Sequence, residues 1–187
     1  MKHPAFFGYG SLVNRETHDY APATPARLTG WRRVWRHTGL RPLAFLSVEP
    51  AENVTIDGLV AAVPGDDWTA LDKREGAYDR HHLPSTTVAH EAHWASSVQV
   101  YAVSSRHRPA DETHPVLLSY IDTVVQGFLR EFGEEGAQRF FDTTAGWETP
   151  ILDDRAAPRY SRARALSLSE TAFVDEALIG VGAQRLR

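Results

Sequence analysis

The sequence predicts an α+β fold, a mixed sheet or small barrel with helices packed against it. Two changes of pattern carry this. Aromatic and β-branched residues in short runs, some alternating with polar ones, dominate the first half. From Pro115 the apolar residues recur with helical period, and helices dominate the second half. Strands written first and helices later suit one sheet covered by those helices. The 187 residues show no repeat, low-complexity stretch or domain boundary, so a single domain over 1–187 is expected.

Phe6 to Tyr9 reads as a first strand running into a turn. Val13 to Pro25 is polar and holds Pro22 and Pro25, which predicts a loop with room for a short helical turn. Leu28, Trp31, Val34 and Trp35 place a strand over Ala26 to Thr38, with a turn at Gly30. Leu43 to Val48 and Val54 to Val63 are two further strands, the second stopped by Pro64-Gly65. Asp66 or Asp67 can cap a helix over Trp68 to Glu75, which Gly76 ends. Tyr78 to His90 gives two short extended pieces interrupted by Pro84, and Val98, Val100 and Ala102 alternate in a strand over Ser97 to Val103.

Pro115 fits the first turn of a helix with a broad apolar face, from Leu117, Leu118 and Ile121 to Phe128 and Leu129. Gly133 ends it and Glu134 to Thr143 forms a second, shorter helix. Ala145 to Tyr160, with Gly146, Pro150 and Pro158, reads as an extended surface segment. Ser169 is the expected N-cap of a last helix ending at Leu178.

A net charge of −4 and a pI near 6.1 give no electrostatic footing for nucleic acid. The chain has no cysteine, hence no disulfide, thiolate metal site or cysteine nucleophile. The stretch from Met1 to Phe6 lacks the apolar segment of a signal peptide. No run approaches the ~20 apolar residues of a membrane span. The expectation is a cytoplasmic protein with neither membrane nor nucleic-acid partner.

Two places point to chemistry. The first is the turn Gly8-Tyr9-Gly10-Ser11-Leu12, directly after the first strand. Glycine allows conformations that a Cβ forbids. A Gly-x-Gly-Ser turn can therefore aim successive N–H groups at one point and hold an anion. A mere connector needs neither the tyrosine nor the serine inside it. The second is Glu75. On its helix, Trp68, Leu71 and Glu75 fall within roughly 60° of each other, so the carboxylate extends the apolar stripe while Lys73 and Arg74 point elsewhere. It also lies in the last turn, where the helix dipole disfavours negative charge. Both effects raise its pKa, as general acid/base work requires. Tyr78, just past Gly76, and Tyr120, at the edge of the long helical face, are the neighbours most able to share a pocket with it.

These residues resemble a known family. Phe7-Gly8-Tyr9-Gly10-Ser11-Leu12 is similar to the first-strand signature of γ-glutamylcyclotransferase-like proteins, especially the ChaC-type branch. Leu71-Asp72-Lys73-Arg74-Glu75-Gly76-Ala77-Tyr78 resembles their second signature, and Tyr120 their later helical tyrosine. The resemblance runs from about Phe6 to Gly136. It implies a small mixed β-barrel flanked by α-helices and no cofactor or metal. It also implies a small-molecule γ-glutamyl substrate, cyclised by its own α-amino group to 5-oxoproline. Glu75 would be the acid/base, the loop through Leu12 would hold the γ-glutamyl head, and Tyr78 and Tyr120 would line the pocket. Glutathione-acting ChaC-type members commonly continue the first motif with Ile-Trp, whereas Leu12 is followed here by Val13-Asn14. The leaving group therefore stays open.

Three alternatives compete. His81, His82, His90 and His93 with Glu91 could suggest a metal, but the stretch reads as extended, and adjacent histidines on a strand face opposite ways. Ser11 lacks the Gly-x-Ser-x-Gly elbow of a serine nucleophile. Asp153-Asp154-Arg155 reads as a turn with local ion pairing, with Trp147 able to border a cleft. A non-catalytic γ-glutamyl-binding module is the remaining class, and the oligomeric state is not readable.

Overall fold

A computed structural model describes residues 2–186. In chain order the elements are β1 (His3–Gly8), β2 (Ala23–Arg36), β3 (Phe45–Ala62), α1 (Thr69–Arg74), β4 (Tyr78–Leu83), β5 (Val88–His90), β6 (Ala95–Val103), β7 (Val116–Leu117), α2 (Leu118–Asp142), β8 (Thr144–Ala145), β9 (Ile151–Leu152), α3 (Leu168–Gly180) and β10 (Arg185–Leu186). The main sheet has the order β4-β6-β1-β3-β2-β5, with β8 also paired to β2. Strand β1 runs parallel to β6 and antiparallel to β3, so the sheet is mixed. It curls into a half-barrel flanked by the helices.

Strand β1 lies inside this sheet, and its alternation builds two apolar layers. Phe7 joins the large core with Leu28, Ile56, Leu59 and the α2 residues Ile121, Val125 and Phe128. Phe6 faces the other way, into a smaller cluster with Leu12, Trp68, Leu71 and Tyr101. Each such buried side chain contributes about 1.5–3 kcal/mol. The glycine turn leaves the end of β1 between these layers, with α1 on one side and α2 on the other.

The expected strands and the Gly133 break are present, with instructive differences. The two strands read at 43–48 and 54–63 are halves of one, β3, whose register with β2 jumps from Thr29–Thr55 to Trp31–Pro50. Gly30, at φ +83°, sits at that irregularity and makes no chain reversal. The loop over 13–25 holds two 3₁₀ turns, and β2 already starts at Ala23. Gly133 (φ +66°) divides α2 where the sequence places a break. Pro115 is not in its first turn, because Val116–Leu117 pair as a strand with Ile151–Leu152 and the helix begins at Leu118.

The residues from 145 to 160 are not a surface segment throughout. Ala145 pairs with Val34, and Trp147 and Ile151 are buried. Trp147 stacks on Phe141 at 5.2 Å, in the core rather than beside a cleft. The cap of α3 is Ser167, not Ser169: its hydroxyl accepts the Glu170 N–H, and Glu170 accepts the Ser167 N–H in return. The reciprocal bond decides between the two serines. No helix among the described residues is long and apolar enough to cross a membrane.

Candidate active site

Helix α1 is short, and its neighbours fix it. Leu71 is fully buried, the Asp72 carboxylate accepts the Tyr101 hydroxyl at 2.6 Å, and Arg80 pairs with Asp72 at 2.9 Å. Asp67 accepts the Thr69 N–H at the start of the helix. The chain leaves α1 through Glu75, whose carbonyl accepts the Tyr78 N–H at 2.8 Å. Asp72 of the Leu-Asp-x-x-Glu pattern is thus a brace, and it sets where Glu75 stands.

Glu75 lies on the boundary of two adjoining cavities. One, of ≈ 30 Å³, is bounded by Gly8, Tyr9, Gly10, Ser11 and Leu12 together with Glu75, Tyr78 and Tyr120. All the sequence-predicted site residues meet there. The other, of ≈ 380 Å³, opens outward and is shared by Ser11, Glu75, Tyr78 and Tyr120. Gly8, Tyr9, Gly10 and Leu12 do not reach it.

Burial raises the Glu75 pKa, and Arg74, then Arg162, oppose the rise. The side chain keeps 16% of its surface exposed, so its carboxylate can meet a ligand. Arg74 does not point elsewhere. It pairs with Glu75 at 3.2 Å, donates to the Thr17 carbonyl at 2.9 Å, and reaches the Ser11 hydroxyl at 3.4 Å. Those acceptors on the loop after β1 draw the guanidinium back over the helix end.

The glycines of the turn also answer a steric demand. Neither Gly8 nor Gly10 has a positive φ among the described glycines. What they supply is space. A Cβ on Gly8 would lie 2.8 Å from the Leu12 Cβ, and one on Gly10 would lie 2.8 Å from the Tyr120 hydroxyl and 3.1 Å from Leu46. The first 3₁₀ bond of the turn runs from the Val13 N–H to the Gly10 carbonyl. The Ser11 and Leu12 amides precede it and have no partner within that turn. Ser11 makes a backbone hydrogen bond with Tyr120.

Buried Arg33, its pKa lowered to about 9 by desolvation, donates to the Tyr9 carbonyl at 2.8 Å and holds the turn from beneath. The Tyr9 hydroxyl donates to the Tyr101 carbonyl, and the Tyr78 hydroxyl to the Leu46 carbonyl. Burial pushes the Tyr9, Tyr78 and Tyr120 hydroxyls well up, and the Glu75 charge adds to each, so all three stay protonated.

Sequence reasoning missed half of the larger cavity. Arg41 comes from the loop between β2 and β3, and Arg159, Tyr160 and Arg162 from the strap between β9 and α3. The strap is tied to α2. Asp154 accepts the Ser119 N–H at 2.8 Å, the Ser119 hydroxyl at 2.6 Å and the Arg159 N–H at 2.8 Å, while Arg155 pairs with Asp122. Asp154 thereby caps α2 from 35 residues away. The pairing expected to be local around residues 153–155 is long-range. The Tyr160 ring meets Tyr120 edge-on at 5.1 Å. A signal was present in the Arg159-Tyr160-Ser161-Arg162 run, which has basic and aromatic residues but no acid to pair with.

The histidines remain apart from this site. His81 and His82 are exposed on β4, His90 accepts the Ala92 N–H, and His93 is exposed beside Glu91. Among the described residues no group of three or more His, Cys, Asp or Glu is gathered as a metal ligand set.

The fold is thus a mixed half-barrel in which a half-buried carboxylate faces a glycine-rich turn. The sequence matches the family described as "Gamma-glutamyl cyclotransferase, AIG2-like" over residues 6–131, and the chain belongs to that family. No curated relative matches in sequence. Among solved structures, one named "Gamma-glutamyl cyclotransferase" is similar at 13% identity and a TM-score of 0.57, covering 94% of this chain and 99% of its own. The human protein loc79017, described as uncharacterized, is similar at 15% identity and TM-score 0.58, with the same coverage. YkqA from Bacillus subtilis follows at 18%, TM-score 0.55, covering 78% of this chain and 57% of its own. At these identities the likeness is one of fold.

Proposed function

We propose that the protein is a γ-glutamylcyclotransferase that releases 5-oxoproline from a γ-glutamyl amide, with Glu75 as general acid/base. The observation that carries this reading is the Glu75 carboxylate, raised in pKa by burial and standing at the cavity that the glycine turn encloses. The nucleophile is the substrate's own α-amine, so the protein needs neither a serine–histidine pair nor a metal. Its first task is to fold the γ-glutamyl chain so that the amine meets the γ-carbonyl, which can supply several kcal/mol of the barrier. Its second is proton traffic. A bond forms from the α-nitrogen to the γ-carbonyl carbon, and the amide C–N bond breaks. Over the reaction the attacking ammonium loses two protons and the leaving nitrogen gains two. Glu75 takes a proton from the first and returns it to the second, worth roughly 10²–10⁴-fold.

Size divides the labour between the cavities. A space of ≈ 30 Å³ has room for about one water. It suits a single oxygen, the γ-carbonyl oxygen as it gains charge, and the Leu12 amide with the Tyr120 hydroxyl are the donors near it. The amino-acid end and the leaving group then occupy the larger cavity. The reading takes 1–187 as one domain, since one apolar cluster runs from Ala5 to Leu178. The ChaC-type kinship rests on the two sequence motifs, so glutathione is one candidate in a substrate panel.

The test is Glu75→Gln against a panel of γ-glutamyl compounds, reading 5-oxoproline. Turnover should fall by roughly 10²-fold or more while ligand protection against thermal unfolding persists. Normal turnover by the variant would remove Glu75 from the reaction. Protection without 5-oxoproline from the native chain would make it a binding module.

A further inference from the structure

We propose that the leaving group of the substrate carries a free carboxylate, and that Arg41, Arg159 and Arg162 select for it. The inference rests on the γ-glutamyl reading and names the substrate class within it: γ-glutamyl amino acids or peptides, not γ-glutamylamines with a neutral or cationic tail. The larger cavity, at ≈ 380 Å³, presents four arginines and one glutamate. Arg74 is committed to Glu75, Thr17 and Ser11. The other three are held by no carboxylate within salt-bridge distance, although Arg41 stacks over the Phe45 ring at 3.9 Å and Arg162 lies within charge range of Glu75. Among the described residues, no salt bridge engages Arg41, Arg159 or Arg162.

Elsewhere among the described residues most arginines are paired with a carboxylate. Arg33 and Arg108 are the other described arginines outside every salt bridge, and Arg33 is satisfied by carbonyl and hydroxyl acceptors. Three guanidiniums left without carboxylates around one concavity, in a chain of net charge −4, are not a general surface property. Such a wall attracts an anion. A guanidinium also presents a planar fork that matches a carboxylate.

Position narrows the choice. Arg162 is half-buried and close enough to Glu75 for its charge to oppose the rise in that pKa. It therefore stands beside the group that serves the scissile bond, while Arg41 and Arg159 lie at the exposed rim. An amino-acid leaving group places its carboxylate one carbon beyond the scissile nitrogen, and a dipeptide places it further out. Both distances fall along this wall. Arg159 and Arg162 lie on the strap, outside the family match over 6–131, whereas Arg41 lies within it.

The experiment compares γ-glutamylglycine with γ-glutamylglycinamide, which differ only in the leaving group's charge. The carboxylate compound should have the higher kcat/KM, by about 10-fold or more and mainly through KM. Arg162→Gln, and independently Arg41→Gln, should shrink that ratio toward one. Arg32→Gln, on β2 and outside the lining of the cavity, should leave it as it is. Equal or better use of the amide overturns the proposal, as does a ratio unmoved in both variants. If the native chain forms no 5-oxoproline from either compound, the γ-glutamyl reaction has failed separately. Thermal protection by the same pair then decides: stronger protection by γ-glutamylglycine upholds the charge preference, and equal protection overturns it.

Discussion

The turn at residues 8–12 and the strap at residues 153–166 bound the same site, yet they are held by opposite means. The turn is held by contact. Gly8 lies against Leu12, Gly10 against the Tyr120 hydroxyl, and Arg33 grips the Tyr9 carbonyl from below. The strap is held by a few polar latches, chiefly Asp154 on Ser119 and Arg155 on Asp122. A packed turn leaves no slack, because interiors are as dense as organic crystals. A latched strap leaves its intervening side chains free to vary while the latch holds. The comparison teaches that reaction and selectivity can be assigned to differently built walls, and it can be broken at either one.

The largest effect is expected at the turn. Gly10→Ala puts a methyl into space now taken by Tyr120 and Leu46. The Tyr120 and Leu46 side chains must give way by a few tenths of an ångström, or the turn must shift. Overpacking of this kind costs about 1–3 kcal/mol. Misplacement near the reacting atoms can cost about 10²-fold in turnover. Pairing it with Tyr120→Phe removes the oxygen that the methyl meets. If packing is the cause, the double variant should be more stable than the sum of the two changes predicts. Strict additivity in thermal unfolding would count against a steric role for Gly10.

Much of the first wall was legible and little of the second, for a physical reason. Gly8, Gly10, Leu71 and Glu75 sit in short local patterns, and helical spacing aligns Glu75 with the buried stripe of α1, although it stands just past the helix as its C-cap. What spacing cannot show is why the glycines are there, since the neighbour that demands space at Gly10 is Tyr120, far along the chain. The Arg74 guanidinium was misread for the same reason: its acceptors lie on the loop after β1. The strap is the limiting case. Asp154 caps a helix that begins 36 residues before it, and Asp122 finds its partner in Arg155. No local pattern encodes such a pairing. The sheet was easier, because alternation is local. Even so, the join between the two halves of β3 escaped, since Pro50 and the residues after it look like a loop in the sequence.

A smaller effect is expected at the strap. Asp154→Ala leaves the buried Ser119 amide and hydroxyl without their acceptor, which costs about 1–3 kcal/mol for each group left unsatisfied. Arg159 and Arg162 lose their fixed approach to the cavity. The change should appear as a rise of about 10-fold in KM for a carboxylate-bearing substrate, with kcat falling less. A loss in kcat as large as that of Gly10→Ala would show that strap and turn act as one unit, and the division drawn between them would fall.

The smallest effect is on stability, and it separates the walls by pH. The folded-state pKa of Glu75 is raised above its ordinary value, first by burial. A carboxyl group of this kind contributes stability that is fully present below its unfolded pKa and lost as pH rises through the folded one. At neutral pH the ionised Glu75 is therefore a cost that the fold carries. Glu75→Gln should raise the Tm at pH 7 relative to the native chain, and the difference should shrink to nothing below about pH 4.5. Arg74→Gln should act in the opposite sense. It removes the first-ranked charge opposing the rise, so Glu75 titrates higher and the acid limb of kcat/KM moves to higher pH. Asp154→Ala should move that limb in the same direction but by less, because it loosens the strap that carries Arg162, the second charge opposing the rise. A limb that stayed in place in Asp154→Ala would mean that Arg162 keeps its position beside the carboxylate without the latch.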